Sequence, residues 1–250
     1  MILQERIDSG GMVEITGYHE IDQPLRLPSN AYLYGNGHIV YRGGGSMVEI
    51  VGAERVRITD LQFSSVNGGG FYCNDANRIR LCGVKINAYA GDGIHIHNGN
   101  GLFLSDFCHL NGTSGNGSKG ILADGNWDTI AVTGLLCGQH DNGIRLGGEA
   151  GSIANVLLSQ VVLDRLAPNG VGLHIEPKGS GSVWKVMTNN LWTAGGHPML
   201  FNSAETIGFV KQIVLGTWLG TESLYGVWTN GAITDLTYEP RVMKLMGGPE

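Results

Sequence analysis

Leu81-Cys82-Gly83-Val84-Lys85-Ile86, followed by Gly93-Ile94-His95-Ile96, decides the fold, because the chain repeats both segments along most of its length. The first returns as Ile58-Thr59-Asp60-Leu61-Gln62-Phe63, Leu104-Ser105-Asp106-Phe107, Val132-Thr133-Gly134-Leu135, Leu158-Ser159-Gln160-Val161-Val162-Leu163 and Ile233-Thr234-Asp235-Leu236-Thr237-Tyr238. The second returns as Gly120-Ile121-Leu122-Ala123, Gly143-Ile144-Arg145-Leu146, Gly170-Val171-Gly172-Leu173 and Gly226-Val227-Trp228-Thr229. Apolar residues recur at every second position, the period of a strand. A unit of two or three dozen residues cannot bury such a face alone and must stack on its neighbours. The chain reads as a solenoid of short strands.

Glycine is the commonest residue, 41 of 250, which excludes long helical repeats. Pairs such as Asn67-Gly68, Asn98-Gly99, Asn116-Gly117, Asn142-Gly143 and Asn169-Gly170 supply the positive φ of sharp corners. Leucine-rich repeats keep a stricter period with a fixed asparagine, and that signature is missing. The unequal steps from Leu61 to Val84, Phe107, Leu135 and Val161 suit a parallel β-helix, whose corners absorb extra residues. Thr59, Cys82, Ser105, Thr133, Ser159 and Thr234 form a ladder of small polar side chains beside the aliphatic columns, with Met187 as its exception; these read as half-buried strand positions without chemistry.

The fold class is therefore all-β, a right-handed single-stranded parallel β-helix with a short N-terminal capping helix. One domain covers residues 1–250: a cap over 1–9, with Leu3 and Ile7 on one helical face, coils from about 10 to 240, and a tail over 241–250. A formal net charge of −6 disfavours nucleic acid as a partner. No apolar run approaches a membrane span, so no membrane insertion is expected, and no signal peptide is seen at the amino terminus. Cys73, Cys82, Cys108 and Cys137 lack metal-type spacing and read as buried free thiols.

The start of the chain runs Gly10-Gly11-Met12-Val13-Glu14-Ile15, Gly17-Tyr18-His19-Glu20-Ile21, Pro24-Leu25-Arg26-Leu27-Pro28-Ser29-Asn30 and Tyr32-Leu33-Tyr34-Gly35-Asn36-Gly37. This order resembles the opening coil of the pectate-lyase-like right-handed β-helix superfamily, and the repeats extend the resemblance over most of the chain. The resemblance implies a carbohydrate-facing protein, closest in character to phage tailspike and depolymerase domains. It carries with it a bacterial surface polysaccharide as partner, a homotrimer, contact with other virion proteins and a virion location after assembly in a host cytoplasm. The particle-binding and trimerising domains usual in tailspikes are not evident here. The alternatives are a non-catalytic virion protein, either receptor-binding fibre or capsid decoration, and a free-standing polysaccharide lyase or glycoside hydrolase.

Stacking the repeats locates a candidate site. With Ile94, Ile121, Ile144 and Val171 pointing inward, one outward column reads His95, Leu122, Arg145, Gly172 and the next His97, Asp124, Gly147, His174. Coils lie about 4.8 Å apart, so His97 and Asp124 become neighbours, with Arg145 one coil further. Asp92, His140 and Asp141 fall at the corner before this sheet, and Glu176 after His174. Glycoside hydrolysis needs two carboxylates, here Asp124 with Asp92 or Asp141. Elimination from a uronate needs a base and a charge stabiliser, here His97 and Arg145. Hydrolysis ranks ahead of elimination, and both compete with plain solvated charges. His95, Trp127, His174 and Glu176 are the expected substrate contacts; Trp127 either stacks on a sugar from an exposed turn or packs beneath a loop. Asp124 and Asp128 are too few for a calcium loop, and no metal or cofactor is assigned.

Overall fold

The computed structural model describes residues 3–88, 90–113, 115–147, 151–164, 166–167 and 170–194, and beyond these the strands His197–Asn202, Val210–Leu215, Trp218–Thr221, Val227–Asn230, Ile233–Tyr238 and Val242–Lys244. The chain is an all-β right-handed parallel β-helix with one short N-terminal helix. Every strand pairing among the described residues is parallel. Seventeen strands form one continuous sheet and nine form a second. The larger sheet bends into two faces, most visibly in the long strands Trp127–Gly138, Ser152–Asp164 and Ser182–Ala194. The nine-stranded sheet closes each coil as the third face.

The bend has a simple backbone cause. Asp60, Gly83, Gly134, Gln160 and Asn190 all adopt left-handed φ, between 53° and 75°, at the corner joining the first and second faces. A second left-handed column, Arg55, Arg78, Gly101, Thr129, Asn155, Lys185 and Gln212, kinks the strands of the first face. Glycine, asparagine and aspartate tolerate this region, whereas β-branched Thr129 is strained there.

The core is a set of aliphatic stacks, one residue per coil. Val48, Phe71, Ile94, Ile121, Ile144 and Leu173 follow one another up the third face, and all are fully buried. Cys73, Cys108 and Cys137 occupy aliphatic places in such stacks, and burial pushes their thiols up to about 12, 11 and 12. Cys82 is half-buried and donates to Asp106 instead, at 2.7 Å.

Three registers differ from the sequence reading. Cys108, not Phe107, follows Val84, since Lys85 pairs with His109 and Cys108 with Leu135. Asp106 and Phe107 are both left-handed, φ 55° and 56°, so this corner holds one extra residue and Phe107 turns out to solvent. Leu173, not Val171, stacks on Ile144. The Asn169-Gly170 pair imitates Asn142-Gly143 in sequence, yet Gly172 takes the place of Gly143. In the small polar ladder, Ser159 pairs with Asn189, whereas Thr234 pairs with Lys211 and belongs to another column.

A glycine ladder seats the third face. At Gly93 an added Cβ would lie 2.7 Å from the Gly120 carbonyl oxygen, at Gly120 2.8 Å from that of Gly143, and at Gly143 2.6 Å from that of Gly172. Only glycine permits this approach of backbone to backbone.

The helix Leu3–Asp8 covers the first coil, burying Leu3 and Ile7. Its polar side chains saturate the exposed strand edges. The Gln4 amide donates to the Arg26 carbonyl at 2.8 Å and accepts from the Arg26 N–H at 3.0 Å, while Arg6 donates to the Glu14 carbonyl at 2.7 Å. At the other end Val242–Lys244 pairs with Trp218–Thr221, so coil structure reaches into the expected tail. No helix among the described residues is long and apolar enough to cross a membrane.

Candidate functional site

On the third face the residues between the buried stacks point to solvent and form their own columns. Arg26, Glu49, Tyr72, His95, Leu122, Arg145 and His174 are aligned one per coil. His174 thus stands beside Arg145, and Glu176 beside Gly147, which replaces the expected columns that set Gly172 beside Arg145 and His174 beside Gly147. The correction follows from the two-residue shift of the Leu173 coil.

His95, His97 and Asp124 converge. His95 lies on the strand Ile94–Ile96 and His97 directly follows it, two residues on, which puts both side chains on the same face. Asp124 follows Ala123 on the next coil, with its N–H donating to the Ile96 carbonyl at 3.0 Å. His95 Nε2 lies 3.0 Å from Asp124 Oδ1 and 3.1 Å from Oδ2, and His97 Nδ1 lies 2.8 Å from Oδ1. Asp124 is 8% exposed while His95 and His97 retain 30% and 28%, so the imidazoles screen the carboxylate from water. Burial works to raise the Asp124 pKa, but the hydrogen bonds and charges of His95 and His97 outweigh it and hold the carboxyl below its ordinary value. The ring of Tyr72 stands edge-on to His95, centroids 5.2 Å apart.

The corner after these residues is fixed by amide side chains. Asn98 accepts from the Asn126 N–H at 2.9 Å, and Asn126 accepts from the Ser152 N–H at 3.0 Å. Asn74 stands one coil below, its Oδ1 3.5 Å from Asn98 Nδ2. This stack locks the backbone on which His97 and Asp124 sit.

The other expected carboxylates serve the opposite corner. Asp92 accepts the Lys119 N–H at 2.7 Å and lies 4.0 Å from its ammonium. Asp141 accepts the N–H groups of Gly115 (2.6 Å) and Gly117. Asp92 thus anchors the start of the strand Lys119–Ala123 and Asp141 the turn before it. Arg145 is ion-paired with Glu176, with His174 Nε2 3.8 Å from the same carboxylate. Burial pushes His174 well below the usual imidazole range, with the Glu176 charge opposing and those of Arg145 and Lys178 adding. Among the described residues Arg145 Nε and His174 Nε2 are buried without a hydrogen-bond partner.

Trp127 departs from the exposed alternative. It is 1% exposed, its indole N–H donating to the Thr129 carbonyl at 3.3 Å, so it is core and offers no surface to a sugar. Its place is set by strand register: Trp127 pairs with Gly99 and Ile153 at the start of the first face. Sequence reasoning missed Tyr72 and the Asn74–Asn98–Asn126 stack. The signal for Tyr72 was present, because Gly70-Phe71-Tyr72-Cys73 is an earlier copy of Gly93-Ile94-His95-Ile96.

No protein-family model matches the chain, and no curated protein sequence matches it. Its structure is similar to that of the endo-xylogalacturonan hydrolase from Aspergillus tubingensis, with TM-score 0.59 and 11% identity, covering 93% of this chain and 88% of that one. Tailspike protein 2 from Escherichia coli O157:H7 bacteriophage CAB120 aligns with TM-score 0.49 and 14% identity over 94% of this chain and 39% of that one. A hyperthermoactive exopolygalacturonase from Thermotoga maritima aligns with TM-score 0.47 and 10% identity over 91% and 86%. The fold shared with the endo-xylogalacturonan hydrolase is the parallel β-helix.

Proposed function

We propose that this chain binds a polysaccharide along its third face and depolymerises it at the His95–Asp124–His97 cluster, as a tailspike-like protein acting on a bacterial surface polysaccharide. The observation that carries the reading is a nearly buried, ionised carboxylate held by two imidazoles that still reach solvent. Such a carboxylate fixes the tautomer and aim of its histidines, which leaves them to take or give a proton at a bound sugar. A face of aligned outward residues, one per coil, suits an extended polymer lying along the axis. The endo-xylogalacturonan hydrolase shares the fold and supplies a polysaccharide-cleaving precedent for it.

The two-carboxylate route loses support from the geometry, because Asp92 and Asp141 are engaged by backbone N–H groups. Imidazole-based acid–base catalysis fits the cluster better. The same reading includes a homotrimer in a virion. An outward stripe of Leu157, Met187 and Val214 runs along the first face, one residue per coil. Leu157 and Met187 are exposed, and the stripe floors an open depression of about 700 Å³. Apolar surface aligned along a helix axis suits contact between copies related by that axis. The apolar segments after Phe201, namely Phe209-Val210, Ile213-Val214-Leu215 and Trp218-Leu219, are the trimer contact expected from the sequence; of these the side chain of Val214 is described and those of the others lie outside the described residues.

The test is incubation of the protein with capsular and lipopolysaccharide extracts, followed by size-exclusion chromatography with ultraviolet detection. Shortened chains are expected, and Asp124→Asn should slow the shortening at least about 100-fold. New ultraviolet absorbance marks elimination and its absence marks hydrolysis. Unshortened chains across a broad panel would sink the depolymerase reading and leave a binding or structural virion protein.

A further inference from the structure

We infer that His95, His97 and Asp124 form a site for a divalent first-row transition metal, with His95 Nε2, His97 Nδ1 and an Asp124 oxygen as the three protein ligands. The inference uses the same cluster as the polysaccharide reading but not its chemistry. The three ligand atoms lie within 4.8 Å of one another. Tetrahedral zinc, with bonds of about 2.0–2.2 Å, requires ligand atoms about 3.3–3.5 Å apart. The present His–Asp separations of 2.8–3.1 Å open to that value by a few tenths of an ångström, and the two imidazole nitrogens, within 4.8 Å of each other, close to it by side-chain rotation.

The donor set decides the class of ion. Two imidazoles and one carboxylate suit zinc, cobalt, nickel or iron, whereas calcium and magnesium take oxygen alone. His95 lies on the strand Ile94–Ile96, His97 directly follows it, and Asp124 directly follows the paired strand Lys119–Ala123, so the coil backbone pre-positions all three and little ordering is needed on binding. The Asn98–Asn126 bonds at the following corner hold that third ligand in place. On the open side both histidines are partly exposed, leaving the remaining coordination positions to water or to sugar oxygens. The thiols do not compete: three are buried in the core stacks, and Cys82 is engaged with Asp106.

The experiment is titration of chelator-treated full-length protein with cobalt(II), followed by visible absorption, and with zinc(II) by calorimetry at neutral pH. One ion per chain is expected, with cobalt bands of a four- or five-coordinate site. Asp124→Ala and His97→Ala should each weaken binding on the order of 100-fold, while His109→Ala, on the second face, should not change it. Circular dichroism on both variants separates loss of the site from loss of the fold, and His95→Gln gives a third, milder variant. No stoichiometric binding, or binding that survives Asp124→Ala in a folded protein, overturns the inference. Cobalt binding without polysaccharide shortening leaves this inference standing and fails the functional one; shortening without cobalt binding does the reverse.

Discussion

His140 is fully buried, with Nδ1 3.2 Å from the Ser118 hydroxyl. Burial pushes its pKa down to about 4, opposed by the nearby Asp141 charge. In the unfolded chain the ring titrates near its ordinary value of about 6.5. Between those values the unfolded state takes up a proton that the folded state refuses, so stability present above pH 6.5 is lost as pH falls toward 4. Urea unfolding at pH 7 and pH 4.5 should show a His140 contribution to this loss of about 2–3 kcal/mol. In His140→Asn that part of the pH dependence should disappear; an unchanged slope would mean that the ring is protonated within the fold. At the same scale, much of the site was legible. His97 and Asp124 could be set side by side from strand period and coil spacing alone, whereas His95, assigned to the neighbouring column with Leu122, was not joined to them. Hydrogen-bond partners could not be set this way, so the backbone N–H groups that Asp92 and Asp141 accept were not legible in the pattern.

The unit of construction is a strand ending in one left-handed residue. Gly83 and Asp60 tolerate that conformation, yet the sequence pattern put the corners at the Asn-Gly pairs, where Gly99 and Gly117 adopt positive φ and Gly68, Gly143 and Gly170 do not. Gln160 and Thr129 carry no such signal, because coil geometry imposes a conformation their side chains disfavour. Thr129→Gly should therefore raise thermal stability by about 1 kcal/mol. Gly134→Val, at φ 75° and with a Cβ 3.1 Å from the Phe107 nitrogen, should lower it by at least as much. Differential scanning calorimetry on the pair checks both signs, and a stabilised Gly134→Val would remove the strain account. The same elements explain two of the three register errors. An extra corner residue at Asp106–Phe107 and a duplicated glycine at Gly170–Gly172 both leave the apolar alternation intact, so periodicity alone could not detect them.

For the whole molecule, the stripe of Leu157, Met187 and Val214 sets the assembly prediction. Light scattering at tens of micromolar should give a trimer, and Met187→Asp should reduce it to monomer without altering the circular dichroism, because Met187 is already exposed. A wild-type monomer would remove the trimer from the functional reading. The parallel β-helix was visible in the sequence because a solenoid writes its architecture as repetition. The direction of each outward side chain followed wherever the register was right, and the contents of the second and third dimensions (which loop covers which corner) did not. The two left-handed residues at Asp106 and Phe107 have a wider meaning. Chain can be added at such a corner while every strand above and below keeps its pitch of about 4.8 Å. The protein is thus a ruler graduated in coils, whose marks hold their spacing however much chain lies between them. A ligand stretched along it is measured by axial distance, and new corner residues can decorate the edge without moving the scale.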